Sequence, residues 1–190
     1  MTPANPIAHA DQLAVRHHPQ IPADLQQAYW WAYVHPRAVH VFERDSALAA
    51  LGRPLHGRTL QIACVYGNLT LQMAAALAPD AHLDIVDLLP IQLRNLSAKL
   101  SSDPRITLWH ANSESLPTAD ASVDQVLLFF LLHEQPEATR RRTLAEALRV
   151  VRPGGRIVIV DYHRPAHLRP AVIDQQIFFG GRYQRLILAR

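Results

Sequence analysis

The stretch Leu60-Gln61-Ile62-Ala63-Cys64-Val65-Tyr66-Gly67-Asn68-Leu69-Thr70 constrains this chain more than any other. It reads as a short apolar strand, a tight turn at Gly67, and the start of a helix that carries Leu71, Met73, Ala74 and Leu77. Strand, glycine turn and helix in this order are how an open α/β sheet presents backbone N–H groups to a ligand. About twenty residues further on, His82-Leu83-Asp84-Ile85-Val86-Asp87 reads as a second strand that ends in an acid. A carboxylate there suits a ribose, because both sugar hydroxyls can donate to it.

Composition bounds the answer. A chain of 190 residues is most simply one domain, and 49% hydrophobic with 18% charged residues fits a folded globule. The one cysteine, Cys64, sits in the apolar strand, so no intrachain disulfide can form and a reducing, cytoplasmic setting is expected. No apolar run has the length of a membrane span, and residues 1–10 lack the apolar core of a signal peptide. The net charge is +3, with basic residues scattered apart from Arg140-Arg141-Arg142, a triplet expected on a solvated helix face. No basic stripe interleaves with aromatics, which argues against a nucleic-acid partner.

In chain order, residues 1–22 are rich in Pro, Ala and His and are expected to form a loose arm, with His9, His17 and His18 solvated rather than metal-bound. Residues 23–56 are expected to form an N-terminal helical cap, helical from 24 to 51 with an interruption at Pro36. Residues 57–190 are expected to form the ligand-binding α/β domain, one compact unit with the cap. Its elements read as helix 69–77, a helix over 90–100 opened by Pro90, strand 106–110 and apolar strand 124–132. A helix to Val151 follows, with Ala145, Leu148 and Val151 on one side. Pro153-Gly154-Gly155 is expected to break it before strand 156–161. The tail 177–188 looks like a strand pair or a bulged strand around Gly180-Gly181. Strands alternating with helices, and an apolar strand that needs cover on both faces, predict a mostly parallel sheet with helices on both sides.

The order of these signals resembles the class I S-adenosylmethionine-dependent methyltransferase fold, a Rossmann-like α/β architecture, over residues 60–188. Arg149-Val150-Val151-Arg152-Pro153-Gly154-Gly155 and the following strand to Asp161 carry the resemblance. So do Ser115-Leu116-Pro117 and Ser122-Val123-Asp124. The usual acid and Gly-x-Gly-x-Gly pattern is not kept. Gln61 stands for the acid, Ala63 and Val65 stand for the first two glycines, and Gly67 alone remains. A valine side chain crowds a backbone that a glycine would leave open, and a glutamine offers an ammonium only a neutral acceptor.

That departure resembles a narrower group, the RquA family of rhodoquinone biosynthesis. The shared blocks are Ala63-Cys64-Val65-Tyr66-Gly67, residues 87–93, Leu131-Leu132-His133-Glu134-Gln135-Pro136, residues 161–165, Phe178-Phe179-Gly180-Gly181 and Tyr29-Trp30-Trp31-Ala32-Tyr33. The resemblance implies an enzyme that uses S-adenosylmethionine as an amino donor, replacing a methoxy group of ubiquinone by an amine. It also implies manganese and a quinone partner; peripheral contact with the inner face of a membrane is a separate expectation. Asn68 stands where that family has an aspartate, and the chain is shorter than its relatives near residues 44–47 and 168–173. About a dozen residues join the strand at 156–161 to the tail, too few for a crossover helix.

The candidate cofactor contacts are Gln61, Ala63, Cys64, Val65, Gly67, Asp87, Leu88, Asn112, Ser113 and Phe130. Among these Asp87 takes the ribose, Leu88 packs on the adenine, and the resemblance gives Asn112 the adenine amino group. Asn112 read as a plain turn residue is the alternative. Candidate catalytic residues are Tyr66, His133, Glu134, Asp161 and Tyr162, at the strand ends where such folds place chemistry. A histidine there serves as base or ligand, while Glu134-Gln135 before Pro136 also suits helix capping. His133, Asp161 and His163 offer mixed N and O ligands for Mn2+. Tyr29, Trp30, Trp31, Tyr33, Phe178 and Phe179 would line a quinone pocket or pack the core. The rival readings are an ordinary methyltransferase on a quinone or another apolar small molecule, and a binding protein without catalysis.

Overall fold

The computed structural model describes residues 15–17, 41–64, 68–162, 172–178 and 183–190. Its strands are β1 (Val15–His17), β2 (Arg58–Ile62), β3 (His82–Asp87), β4 (Ile106–His110), β5 (Val123–Phe129), β6 (Val151–Tyr162), β7 (Val172–Phe178) and β8 (Tyr183–Ala189). Its helices are α1 (Val41–Leu51), α2 (Leu69–Ala75), α3 (Pro90–Ser97) and α4 (Glu137–Val150). The strands form one sheet in the order β1-β4-β3-β2-β5-β6-β8-β7. Neighbours from β1 to β6 run parallel, and β8 lies antiparallel between β6 and β7.

Both faces of this sheet are covered, which is why its inner strands are apolar without alternation. In β5, Leu127 and Phe129 point to one core layer and Val126 and Leu128 to the other. The first layer takes Leu48 and Leu51 of α1, Met73 of α2 and Leu93 of α3. The second takes Leu144, Ala147 and Val150 of α4. The parallel α/β sheet expected from the sequence is therefore the observed one.

Several boundaries differ from the sequence reading. Val15–His17, expected in a loose arm, pairs in parallel with Leu108–His110 as the edge strand β1. Three residues are too few to show a period. Strand β5 stops at Phe129, because Phe130 turns the backbone into the left-handed region at φ 52°. Helix α4 buries Thr143, Leu144, Ala147 and Val150, whereas Ala145 and Leu148 face outward. Its apolar face is thus rotated from the one expected, because a wholly buried threonine belongs to it. In the arginine triplet, Arg141 and Arg142 are exposed, but Arg140 donates to the carbonyls of Leu132 and Gln135. Pro153-Gly154-Gly155 lies inside β6 rather than before it, and a Cβ at Gly155 would sit 2.7 Å from the Asp124 carbonyl. The tail is a strand pair, β7 and β8, that begins at Val172 rather than 177. No described helix is long and apolar enough to cross a membrane.

Candidate functional site

A crevice opens at the carboxyl ends of β2, β3 and β4. Its floor is apolar, formed by Ile62, Ala63, Val86, Ala111 and Leu131. Its polar rim carries Asp87, Asn112, Ser113, Glu114, Gln135 and Thr139, with Leu88 and Leu89 beside Asp87. A parallel sheet leaves such a hollow where neighbouring strand ends diverge into loops. The loop after β4 is held in place by α4. Glu146 accepts the Leu116 N–H at 2.8 Å, and Arg149 donates to the carbonyls of Leu116 and Thr118.

Asp87 is buried at 6% exposure, and its carboxylate is already in use. Oδ2 accepts the Cys64 N–H at 2.8 Å and the Cys64 thiol at 3.1 Å; Oδ1 accepts the Leu89 N–H at 2.8 Å. A carboxylate has about four acceptor sites, so room for a sugar hydroxyl remains chiefly on Oδ1. Burial raises the Asp87 pKa, against the lowering effect of these N–H donors. Burial likewise raises the Cys64 thiol, which stays protonated and donates. Cys64 acts here through Asp87 and is not part of the crevice wall.

The bend between β2 and α2 is set by Ala63, whose φ of 69° lies in the left-handed region. Gln61 holds that bend. Its Nε2 donates to the Ala63 carbonyl at 3.0 Å and its Oε1 accepts the Thr70 hydroxyl at 2.9 Å. Gln61 has no exposed surface, so its expected place at the cofactor is corrected to that of a buried tie. Asn112 lines the crevice, and its Oδ1 accepts the Glu114 N–H at 3.0 Å, closing a local turn. That bond uses one of the two acceptor sites of the amide oxygen. Ser113 faces the crevice and shares a 2.8 Å hydrogen bond with Thr143.

A second cluster lies beyond Leu131. A short turn, Leu132–Glu134, carries His133 against the end of β6. His133 Nδ1 lies 2.8 Å from Asp161 Oδ1 and Nε2 lies 2.9 Å from Glu134 Oε1. Asp161 is buried and also accepts the N–H groups of Leu132, His133 and Tyr162. Burial disfavours the charged imidazole, but the carboxylates of Asp161 and Glu134 outweigh it and raise the His133 pKa. The Tyr162 ring packs edge-on to His133 at 4.5 Å. Phe130, a candidate cofactor contact, packs edge-on against Phe129, His133 and Tyr162.

Of the expected metal ligands, His133 and Asp161 meet at 2.8 Å, while His163 lies outside the described residues. Both ring nitrogens of His133 face carboxylates, and among the described residues no cluster of metal-ligating side chains forms. Tyr29, Trp30, Trp31, Tyr33, Val65, Tyr66, Gly67, His163 and Phe179 lie outside the described residues. Phe178 closes β7, the outermost strand of the sheet on the side away from β1. The residue that sequence reasoning passed over is Gln135, read there as a cap and found here in the crevice wall.

The methyltransferase domain family matches residues 59–155, just over half of the chain. The chain belongs to the methyltransferase domain family. Among curated relatives, it is 35% identical over 125 residues to a ubiquinone/menaquinone biosynthesis C-methyltransferase UbiE of Syntrophotalea carbinolica, covering 65% of this chain and 49% of that protein. It is 33% identical over 135 residues to a demethylmenaquinone methyltransferase of Clavibacter sepedonicus, covering 65% and 54%. The chain thus spans about half the length of the curated relatives it matches. Among solved structures, the 1,6-didemethyltoxoflavin-N1-methyltransferase of Burkholderia thailandensis, with bound S-adenosylhomocysteine, has a TM-score of 0.63 at 20% identity over 87% of this chain and 84% of that one. The [4+2]-cyclase SpnF has a TM-score of 0.64 at 18% identity, covering 90% and 79%. Both show the methyltransferase-domain fold, and the second shows that this fold also hosts other chemistry.

Proposed function

We propose that this methyltransferase-domain chain is an S-adenosylmethionine-dependent transferase acting on a quinone, and that the transferred group is the cofactor's amine. The observation that carries the cofactor reading is the buried Asp87 at the end of β3, beside the apolar floor of the crevice. The crevice residues fit the nucleoside half: Asp87 Oδ1 takes a sugar hydroxyl, and Leu88 packs beside the base. When bound, S-adenosylmethionine would supply the group that moves, either its sulfonium methyl or its amine; in the amine case the ring methoxy group would leave as methanol, and the donor's Cα–N bond would break with transfer of a Cβ proton to the nitrogen. The names of the curated relatives support a quinone as acceptor. A prenylated quinone resides in lipid, so peripheral contact with a membrane goes with this reading.

Amine transfer rests on Gln61. A carboxylate at this position would hold the cofactor's ammonium charged and non-nucleophilic. Here the side chain is neutral, buried and tied to Ala63 and Thr70, so nothing at position 61 clamps a cation. His133, aligned by Asp161, then holds or takes a proton at Nε2 once Glu134 moves aside. The second reading, methyl transfer to a quinone carbon, is favoured by what the relatives are called.

Mass spectrometry of ubiquinone after incubation with the cofactor, with Mn2+ added or chelated, separates the readings. A methoxy group exchanged for an amine supports the first. A gained methyl supports the second. Cofactor binding without product makes the chain a binding protein. The Gln61→Asp variant is expected to lose amine transfer, and retained transfer would remove the role given to Gln61.

A further inference from the structure

Far from the crevice, the sheet ends in an unguarded strand. Among the described residues, β7 is the last strand of the order and nothing pairs with its outer edge. An open edge presents a row of unpaired N–H and C=O groups, and soluble folds blunt it with Lys, Pro or a very short strand. Here the edge strand Val172–Phe178 is 7 residues long and carries neither Pro nor Lys. Residues 173–177 are all exposed. Ile173 and Ile177, at 65% and 54%, are the most exposed large hydrophobic side chains described. The strand's one charge, Asp174, is already neutralised by Arg185.

The strand also reads nearly the same in both directions. Ile173-Asp174-Gln175-Gln176-Ile177 is close to a palindrome about Gln175. Leu186, opposite Gln175, belongs to the core layer on the α4 side, so strand alternation places Ile173, Gln175 and Ile177 on that side. Asp174 and Gln176 lie on the α1 side, where Arg185 and Ser46 bind them. A second, antiparallel copy centred on Gln175 sets Ile173 against the partner's Ile177, and Ile177 against the partner's Ile173. It also sets Asp174 against the partner's Gln176, a carboxylate facing a neutral amide that can donate. Moving the centre to Asp174 or to Gln176 turns both Ile–Ile pairs into Ile–Gln pairs. The first of these shifts also brings two Asp174 carboxylates face to face, which is unfavourable. A slip of one residue sends every side chain to the wrong face. Charge and apolar pattern thus select one register, and it is the self-complementary one that a two-fold interface requires.

We propose that β7 is the docking edge for a second copy of this chain, pairing antiparallel with the partner's β7 about a two-fold axis at Gln175, so that one sheet runs through both copies. This does not rest on the reading of the crevice. The contact is a single strand pair, smaller than the ~1,200 Å² at which stable interfaces begin. The dimer is therefore reversible, with a dissociation constant on the order of 10 μM.

The test is sedimentation velocity of the full chain over a series from about tenfold below that constant to about tenfold above it. The wild-type chain is expected to pass from monomer to dimer. Gln175→Lys and Gln175→Glu each place like charges together at the axis, and each is expected to weaken the dimer at least about tenfold. An equimolar mixture of the two variants is expected to associate at least as well as wild type, because opposite charges then meet. Gln175→Cys is expected to form a disulfide-linked dimer on oxidation, since residues directly opposite on antiparallel strands lie about 4.5–5.5 Å apart at Cα. The native Cys64 is buried and does not compete. A wild-type chain that stays monomeric throughout leaves the edge to a different partner and overturns the proposal. A dimer that Gln175→Lys does not weaken lies elsewhere on the molecule and overturns it too. Failure of the mixture to restore association, or of Gln175→Cys to cross-link, overturns the pairing about Gln175.

Discussion

Two aspartates end strands on the same edge of the sheet, and they are built differently. Asp87 accepts from neutral donors, the Cys64 N–H and thiol and the backbone N–H groups of Leu88 and Leu89. Asp161 accepts three backbone N–H groups and also the imidazole of His133, a group that can carry charge. Burial leaves Asp87 with its pKa raised. Asp161 instead helps to raise that of its partner. The first is an ionisable acceptor whose charge is poorly compensated from within, which suits a group that awaits hydroxyl donors. The second is compensated internally and spends its bonds on holding a side chain and a turn. Burial at a strand end does not distinguish them; the identity of the donors does.

The contrast can be broken by removing each carboxylate. Asp161→Ala leaves three N–H groups and a half-buried imidazole without their acceptor, and is expected to cost about 3 kcal/mol of unfolding free energy at neutral pH. Urea denaturation measures this. Asp87→Ala removes a comparable number of bonds but also relieves a buried charge, and is expected to cost about 2 kcal/mol. Its larger effect is on ligand: affinity for S-adenosylhomocysteine should fall at least about tenfold. If Asp161→Ala weakens that affinity as much, the division of labour between the two is wrong.

The pH dependence of stability sharpens the same contrast. A raised imidazole pKa means a contribution fully present below the ordinary histidine value and lost as pH rises through the raised one. A raised carboxyl pKa also means stability lost as pH rises, but starting from the ordinary carboxylate range. Two separate declines are expected, and Asp161→Asn should shrink the histidine step alone, Glu134 still facing the ring. NMR titration of the His133 ring should show the raised value falling back in that variant. The smallest effect belongs to an exposed pair with no such burial. Arg141→Ala breaks its contact with Glu137 and is expected to change stability by about 0.3 kcal/mol or less, measured in the same denaturation.

How much was legible follows from the range of each signal. Strands β2 to β6 announce themselves, since an apolar run between turn residues needs only local information. So does Asp87, whose spacing from the glycine turn is a property of the βαβ unit. The role of Gln61 was not legible: its residue type suggested a ligand contact, but Thr70 and the Ala63 carbonyl consume its amide. Asn112 was open between two roles, and the structure shows it both closing a turn through the Glu114 N–H and lining the crevice. Phe130 went to the His133 cluster because a left-handed backbone turns it there, which nothing in a bulky aromatic announces.

The sequence by itself determined the architecture, the family and the strand ends where ligands belong, because periodicity and turn chemistry act over a few residues. The tertiary structure alone decided which polar atoms are already satisfied. Gln135 is the clearest case: its Nε2 meets the hydroxyls of Ser113 and Thr143, from two other elements, and its oxygen is buried without a partner among the described residues. A hydrogen-bond donor or acceptor gains its meaning from what stands opposite, and that partner is set by packing between elements far apart in the chain.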